Sequence, residues 1–121
     1  MSSKLDGTLG ESIAEDWLKN HGYRIISKNY RYRKWEVDII CKHNQELVFV
    51  EVKMRQTRKF GEPWLAVNKK KQAAICLAAN HYIQKHQHQG GVRFDIISIL
   101  PDNRQGWAIT HISDAFRPEL I

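Results

Sequence analysis

The sequence predicts an α/β fold, a mixed β-sheet flanked by helices, and three observations lead to it. Two stretches carry apolar residues at helical spacing, the segments between and after them are β-type, and the whole runs in the order α-β-β-β-α-β-β. The chain has 121 residues, a length suited to one core, so residues 1–121 are expected to form a single domain. Apolar residues make up 42% and charged residues 26%, ordinary globular usage that argues against disorder.

Residues 8–20 place Leu9, Ile13, Ala14, Trp17 and Leu18 on one helical face, and His21-Gly22 ends the helix. Residues 23–34 are β-like and mix aromatic with basic side chains. Residues 35–41 and 47–54 read as two strands separated by the polar run Lys42-His43-Asn44-Gln45-Glu46, a hairpin signal. Residues 55–63 make a charged loop that contains Gly61. A second helix starts from an N-cap at Asn68 and runs to about His86, with a stripe of Ile75, Ala78, Ala79, Tyr82 and Ile83. Gly90-Gly91 breaks the chain, and residues 92–100 are rich enough in Ile, Val and Phe for a central strand. Pro101-Asp102-Asn103 then turns into a last strand over residues 107–112. Trp17, Trp64 and Trp107 are expected to anchor the core, and Cys41 and Cys76 to be small buried apolar groups.

Several classes fall away. No apolar run approaches the ~18–20 residues a membrane span needs. Residues 1–7 contain no apolar stretch, so they do not read as a secretory signal. Two distant cysteines make neither a disulfide framework nor a zinc site, and the expected compartment is a reducing cytoplasm.

The charge points to a partner. There are 19 Lys and Arg against 13 Asp and Glu, and residues 28–71 alone hold 12 of the basic and 5 of the acidic groups. The surplus therefore sits in one stretch, which favours a localised polyanion-binding face. Within it, Tyr30-Arg31-Tyr32-Arg33-Lys34 alternates aromatic and basic side chains. As a strand this presents Arg31 and Arg33 on one face for phosphates, and Tyr30 and Tyr32 on the other, either stacking bases or packing on the core. Lys69, Lys70 and Lys71 crowd the first turn of the second helix, where cations oppose the macrodipole by ~0.3–1 kcal/mol each. A phosphate docked at that end would reverse the penalty, and Lys71, in line with Ile75, Ala78 and Tyr82, should lean toward the sheet. Arg55, Arg58 and Lys59 follow the second hairpin strand and are further phosphate candidates.

The hairpin carries the chemistry. In residues 47–53, Val48, Val50 and Val52 share one face, and Phe49, Glu51 and Lys53 share the other. If the hairpin turns at Asn44-Gln45, Asp38 lies opposite Glu51 and Ile40 opposite Phe49, with Cβ atoms about 4.5–5.5 Å apart. A slip of one residue would separate the carboxylates. Two carboxylates so close repel unless a cation lies between them. Lys53 could supply part of that charge, and a divalent ion held by two carboxylates, a main-chain carbonyl and waters would supply more, a set that suits Mg²⁺. Such a centre can activate water and polarise a phosphate. Glu36 shares the face of Asp38 but reads better as an ion-pair partner, as do Arg93 and Asp95 with each other. His81, His86 and His88 read as a solvated helix end rather than as metal ligands.

Several pieces in register resemble the YraN-type family of small bacterial proteins, within the PD-(D/E)xK restriction-endonuclease-like superfamily. They are Gly10-Glu11 with Ala14, Asn29-Tyr30-Arg31, Glu36-Val37-Asp38-Ile39-Ile40, Leu47-Val48-Phe49-Val50-Glu51-Val52-Lys53, Phe60-Gly61 with Ala66-Val67, Lys71-Gln72, and Arg93-Phe94-Asp95. The resemblance implies a restriction-endonuclease-like mixed sheet and a nuclease that hydrolyses phosphodiester bonds in DNA with Mg²⁺ or Mn²⁺, on branched or flapped substrates, with RNA not excluded. It implies Asp38 and Glu51 as metal ligands with the Val52 carbonyl, Lys53 as the catalytic lysine, and Glu11 reaching in from the first helix to hold a water of the ion. Archaeal Holliday-junction resolvases share this layout, and nucleases of this fold often pair to cut two strands, so a homodimer is compatible with it. Trp35 departs from the family, which usually has Gly before Glu-x-Asp, and a ring there bears on access to Asp38. The same fold hosts inactive members, so the alternative is a catalytically silent nucleic-acid-binding adaptor.

Overall fold

In the computed structural model the chain runs α1 (Ser3–Asn20), β1 (Arg24–Tyr32), β2 (Trp35–His43), β3 (Glu46–Met54), a 3₁₀ turn (Pro63–Ala66), α2 (Lys69–Lys85), β4 (Val92–Pro101) and β5 (Trp107–Phe116). The structure describes residues 3–104 and 106–118, with side chains from residue 7 onward. Met1 and Ser2, part of the stretch read as lacking a leader, lie outside them. No helix among the described residues is long and apolar enough to cross a membrane.

The strands form one sheet in chain order, β1-β2-β3-β4-β5. Only β3 and β4 pair in parallel, and they are the pair whose connection carries α2, as a crossover requires. The sheet is thus mixed and flanked by two helices, in the predicted element order. Asn44 (φ 50°) and Gln45 (φ 73°) both occupy the left-handed region, which makes the β2–β3 connection a two-residue type I′ turn. That turn sets the expected register: Ile39 pairs with Val50, Ile40 with Phe49, and Cys41 with Val48.

Each face of the sheet buries one helix. On the α2 side, Val37, Ile40, Leu47, Phe49 and Phe94 pack with Ile75, Ala78, Ala79 and Tyr82. On the α1 side, Ile39, Val48, Val50, Ile97 and Ile99 pack with Ala14 and Leu18. The Asn68 side chain caps α2 by accepting from Lys71 N–H at 2.9 Å, a contact worth about 1 kcal/mol.

Several elements depart from the sequence reading. The α1 helix starts at Ser3, and its buried stripe is Gly10, Ala14 and Leu18, whereas Leu9 stays 42% exposed. A Cβ on Gly10 would lie 3.2 Å from the Met54 Cβ, so glycine is what lets this turn of α1 settle onto β3. The β1 strand ends at Tyr32, and Arg33 (φ 57°) turns into β2 instead of continuing the alternation with Arg31. Tyr30 and Tyr32 pack inward: the Tyr30 hydroxyl bonds His81 Nδ1 at 2.6 Å, and the Tyr32 ring stacks on His81 with centroids 3.9 Å apart. His81 therefore joins α2 to β1 and does not belong to a solvated helix end. The last strand runs on to Phe116, which is buried and stacks on Phe94. Trp17, Trp64 and Trp107 are half-buried at the rim of the core, not at its centre.

One polar cluster is buried under β4 and β5. Asp95 is fully buried and receives the Arg93 guanidinium at 2.9 and 3.0 Å, the Asp114 N–H at 3.0 Å and His111 Nε2 at 2.8 Å. The Trp17 indole N–H donates to His111 Nδ1 at 3.1 Å, so Nδ1 is the acceptor and Nε2 carries the proton that goes to Asp95. Arg93 also reaches the Tyr23 hydroxyl at 2.6 Å and Glu46 at 3.1 Å. The expected Arg93–Asp95 pair is the centre of this cluster, and the expected Glu36 pair forms with Arg31 at 3.1 Å.

Candidate functional site

The β2–β3 ladder stops at Ile39 and Val50. One step further, Val52 N–H donates to Asp38 Oδ2 at 2.8 Å, so a carboxylate takes the place of a backbone acceptor. Within a strand the N–H and C=O of one residue point to the same side, so the Val52 carbonyl also faces this gap. The gap opens a cleft of about 340 Å³. Asp38, Glu51, Lys53, Arg55 and Gln56 line it from the strands and the loop beyond, Glu11 from α1, and Lys71 from α2.

Glu51 is the centre of the cleft. It is 2% exposed, and its Oε2 lies 3.5 Å from Lys53 Nζ and 3.4 Å from Lys71 Nζ. Its Oε1 is buried without a hydrogen-bond partner, at a typical cost of about 1–3 kcal/mol and more for a charged group. Burial, then the negative charge of Glu51, pushes the Asp38 carboxyl up to about 8, and the Val52 amide only partly opposes this. Glu11 is also raised: burial contributes most, Glu36 and Glu51 add to it, and a hydrogen bond with the Asn29 side chain works against it. At Asp38 and Glu11 the balance thus runs against the charged carboxylate, although Lys53, Lys71 and Arg55 also line the cleft.

That imbalance is what a divalent cation would relieve. The orphaned Glu51 oxygen, the paired Asp38 carboxylate and the Val52 carbonyl are all hard oxygen donors, the kind Mg²⁺ and Mn²⁺ prefer. Among the described residues no three His, Cys, Asp or Glu side chains converge tightly enough to cage an ion. Two carboxylates and one carbonyl would leave the remaining positions of an octahedral ion to water.

A stability effect follows. Because the folded value of Asp38 lies above its unfolded value, its contribution to stability is present in acid and is lost as pH rises toward about 8. Asp38→Asn keeps an acceptor for Val52 and removes the repulsion. In EDTA near pH 7.5 it is expected to raise Tm by roughly 3–6 °C, equivalent to about 1 kcal/mol, with little change near pH 4. Thermal melts of both proteins across that range check this.

The predicted residues divide in two. Glu11, Asp38, Glu51, Val52, Lys53, Arg55 and Lys71 meet at the cleft. Arg31, Arg33 and Lys70 stay outside its wall: Arg31 pairs with Glu36, the Arg33 guanidinium lies 5.3 Å over Tyr32, and Lys70 is exposed on α2. The Trp35 ring packs against Tyr32 and the α2-side core and is not among the residues that line the cleft. Two positions that the sequence quoted only as motif pieces, with no role, stand beside the site. Gly10 lets α1 approach β3 next to Glu11, and the Asn29 (φ 55°) side chain lowers the Glu11 carboxyl against the effect of burial.

The fold is a mixed α/β sheet that parts beside two carboxylates and two lysines. Residues 10–99 match the family described as "Uncharacterised protein family UPF0102", and the chain belongs to that family, the YraN-type family its motifs resemble. It is 44% identical to a UPF0102 protein of Christiangramia forsetii over 110 residues, covering 91% of this chain and 92% of that one. It is 43% identical to one from Caldicellulosiruptor bescii over 119 residues, covering 96% and 100%. A UPF0102 protein of Clostridioides difficile is 39% identical over 117 residues, again covering 96% and 100%.

Proposed function

We propose that this protein is a metal-dependent nuclease that hydrolyses phosphodiester bonds in DNA, with branched or flapped DNA as substrate. The observation that carries this is the buried Glu51, which has one oxygen between two lysines and the other without a partner beside Asp38. Asp38, Glu51 and the Val52 carbonyl would hold Mg²⁺ or Mn²⁺. When bound, the ion supplies Lewis-acid polarisation of the phosphate and a hydroxide-like nucleophile near neutral pH.

The remaining roles belong to the chain. Lys53, in a strand and only partly exposed, is placed to stabilise the negative charge that builds on the phosphate oxygens as water attacks phosphorus and the P–O bond breaks. Lys71 brings a second positive charge from α2, at the helix end where phosphate is favoured. Glu11, with its carboxyl raised, can accept a proton or orient water from the α1 side. Arg55 holds its guanidinium near the mouth by bonding the Met54 carbonyl at 3.0 Å.

If Lys71 meets a backbone phosphate, Lys71→Ala should weaken DNA binding in EDTA evenly across sequences. The salt slope of log K should also fall by about one unit. Titrations of labelled DNA at several salt concentrations measure both. The reading as a whole is tested by incubating purified protein with branched DNA and Mn²⁺. Cleavage that stops with EDTA and with Asp38→Asn supports it, and binding without cleavage supports a silent adaptor.

A further inference from the structure

Phe60 is 87% exposed, and Leu65, beside it, is 64% exposed. A single exposed apolar side chain is ordinary, but here two large ones lie together along one groove. The local backbone turns at Phe60. Gly61 N–H donates to the Arg58 carbonyl at 2.8 Å and closes a turn, and Lys59 N–H donates to Thr57 Oγ1 at 3.1 Å. Gly61 has φ +97°, a backbone conformation that favours glycine, and it lies against the Leu65 side chain. The ring therefore sits at the tip of an ordered turn.

Its position relative to the cleft is the second observation. Phe60, Leu65, Gly61, Arg55 and Gln56 line a groove of about 450 Å³. Arg55 and Gln56 also line the cleft that holds Asp38 and Glu51, so the two depressions share a wall. Around the ring cations outnumber the one carboxylate: Lys59 Nζ lies 5.7 Å from its centroid, Arg55 lines both depressions, and Glu62 on the groove is paired with Arg58 at 2.9 Å. An aromatic platform with cations on its flank suits a nucleobase whose phosphates run past the lysines.

We propose that Phe60 stacks on an unpaired base of the DNA strand whose phosphate enters the Glu51 cleft. This rests on the nuclease reading and deepens it by naming how the substrate's shape is selected. Inside a duplex both faces of a base are covered by its neighbours, whereas a base at a branch, flap or single strand offers a free face. Stacking is indifferent to sequence because every base has such a face. Phe60 thus makes the site prefer unpaired strands without reading their sequence.

The test is DNA binding by the full chain in EDTA, followed by fluorescence anisotropy. One probe is a labelled single-stranded oligonucleotide, and the other is a labelled, relaxed, covalently closed circular duplex in which every base is paired. Phe60→Ala should weaken the single strand by roughly 5- to 100-fold and the closed duplex by less than about twofold, while Phe60→Tyr restores the single strand. Equal losses on both probes, no loss on either, or no rescue by Tyr would overturn the proposal. If the unaltered protein binds neither probe, the nuclease reading falls and takes this inference with it. If it binds both and Phe60→Ala changes nothing, this inference alone falls.

Discussion

Glu51→Gln is expected to lower Mn²⁺ affinity at least about 100-fold and to abolish DNA cleavage, a loss on the order of a thousandfold or more in kcat. The substitution is nearly isosteric, so its effect is electrostatic. Gln cannot neutralise a dication, and its amide would meet Lys53 and Lys71, which now lie 3.5 and 3.4 Å from Glu51 Oε2. Folding should survive, because the change removes a buried charge whose Oε1 has no partner. Isothermal titration with Mn²⁺ reads the first loss, and cleavage of labelled branched DNA reads the second. Equal Mn²⁺ affinity in both proteins would detach the ion from this carboxylate.

Asp95→Ala is expected to cost about 3–5 kcal/mol, a large part of the roughly 5–15 kcal/mol that holds a typical domain folded. The side chain is fully buried, and its loss leaves Arg93, only 11% exposed at its side chain, without its bidentate partner. His111 and the Asp114 N–H lose their acceptor as well. Burial alone would raise the Asp95 carboxyl, but bonds from His111, Arg93 and the Asp114 N–H outweigh it and hold the group below the usual aspartate range. A carboxyl lowered by folding contributes stability above its unfolded value, near pH 4, and loses it as pH falls through the folded value. Urea midpoints measured from pH 7 down to pH 2 should therefore drop for the unaltered protein below about pH 4, and Asp95→Asn should lack that part of the drop. The pH dependence has the opposite sign to that of Asp38, whose carboxyl is raised and whose contribution is lost as pH rises. One sheet thus carries an aspartate that strengthens the fold and another that strains it. The strained one lies in the candidate site, where stability is commonly given up for function.

The hairpin was the most legible part of the sequence. The two-residue turn at Asn44-Gln45 gives the expected register as far as Ile39–Val50; beyond it the strands part, and Asp38 meets the Val52 amide beside Glu51. The Asn68 cap and the lean of Lys71 were also readable, because helix periodicity carries a position forward reliably. Features that depend on how separate elements meet were not. Gly10 and not Leu9 faces β3 because β3 comes close enough to exclude a side chain, and closeness between elements leaves no periodic trace. Tyr30 and Tyr32 had two sequence readings, base stacking or core packing, and His81 on α2 decides for packing. The exposed aromatic lies instead at Phe60, in a loop whose shape comes from Gly61 and not from any alternation.

The central claim is that the Asp38–Glu51 cleft makes this chain a metal-dependent nuclease. Its most direct measurement is cleavage of end-labelled branched DNA by the unaltered protein and by Glu51→Gln, purified identically, with Mn²⁺ and with EDTA. Products that appear only with the unaltered protein and only with Mn²⁺ are predicted. Equal cleavage by both proteins, or no cleavage by the unaltered protein on DNA it binds, would contradict the account.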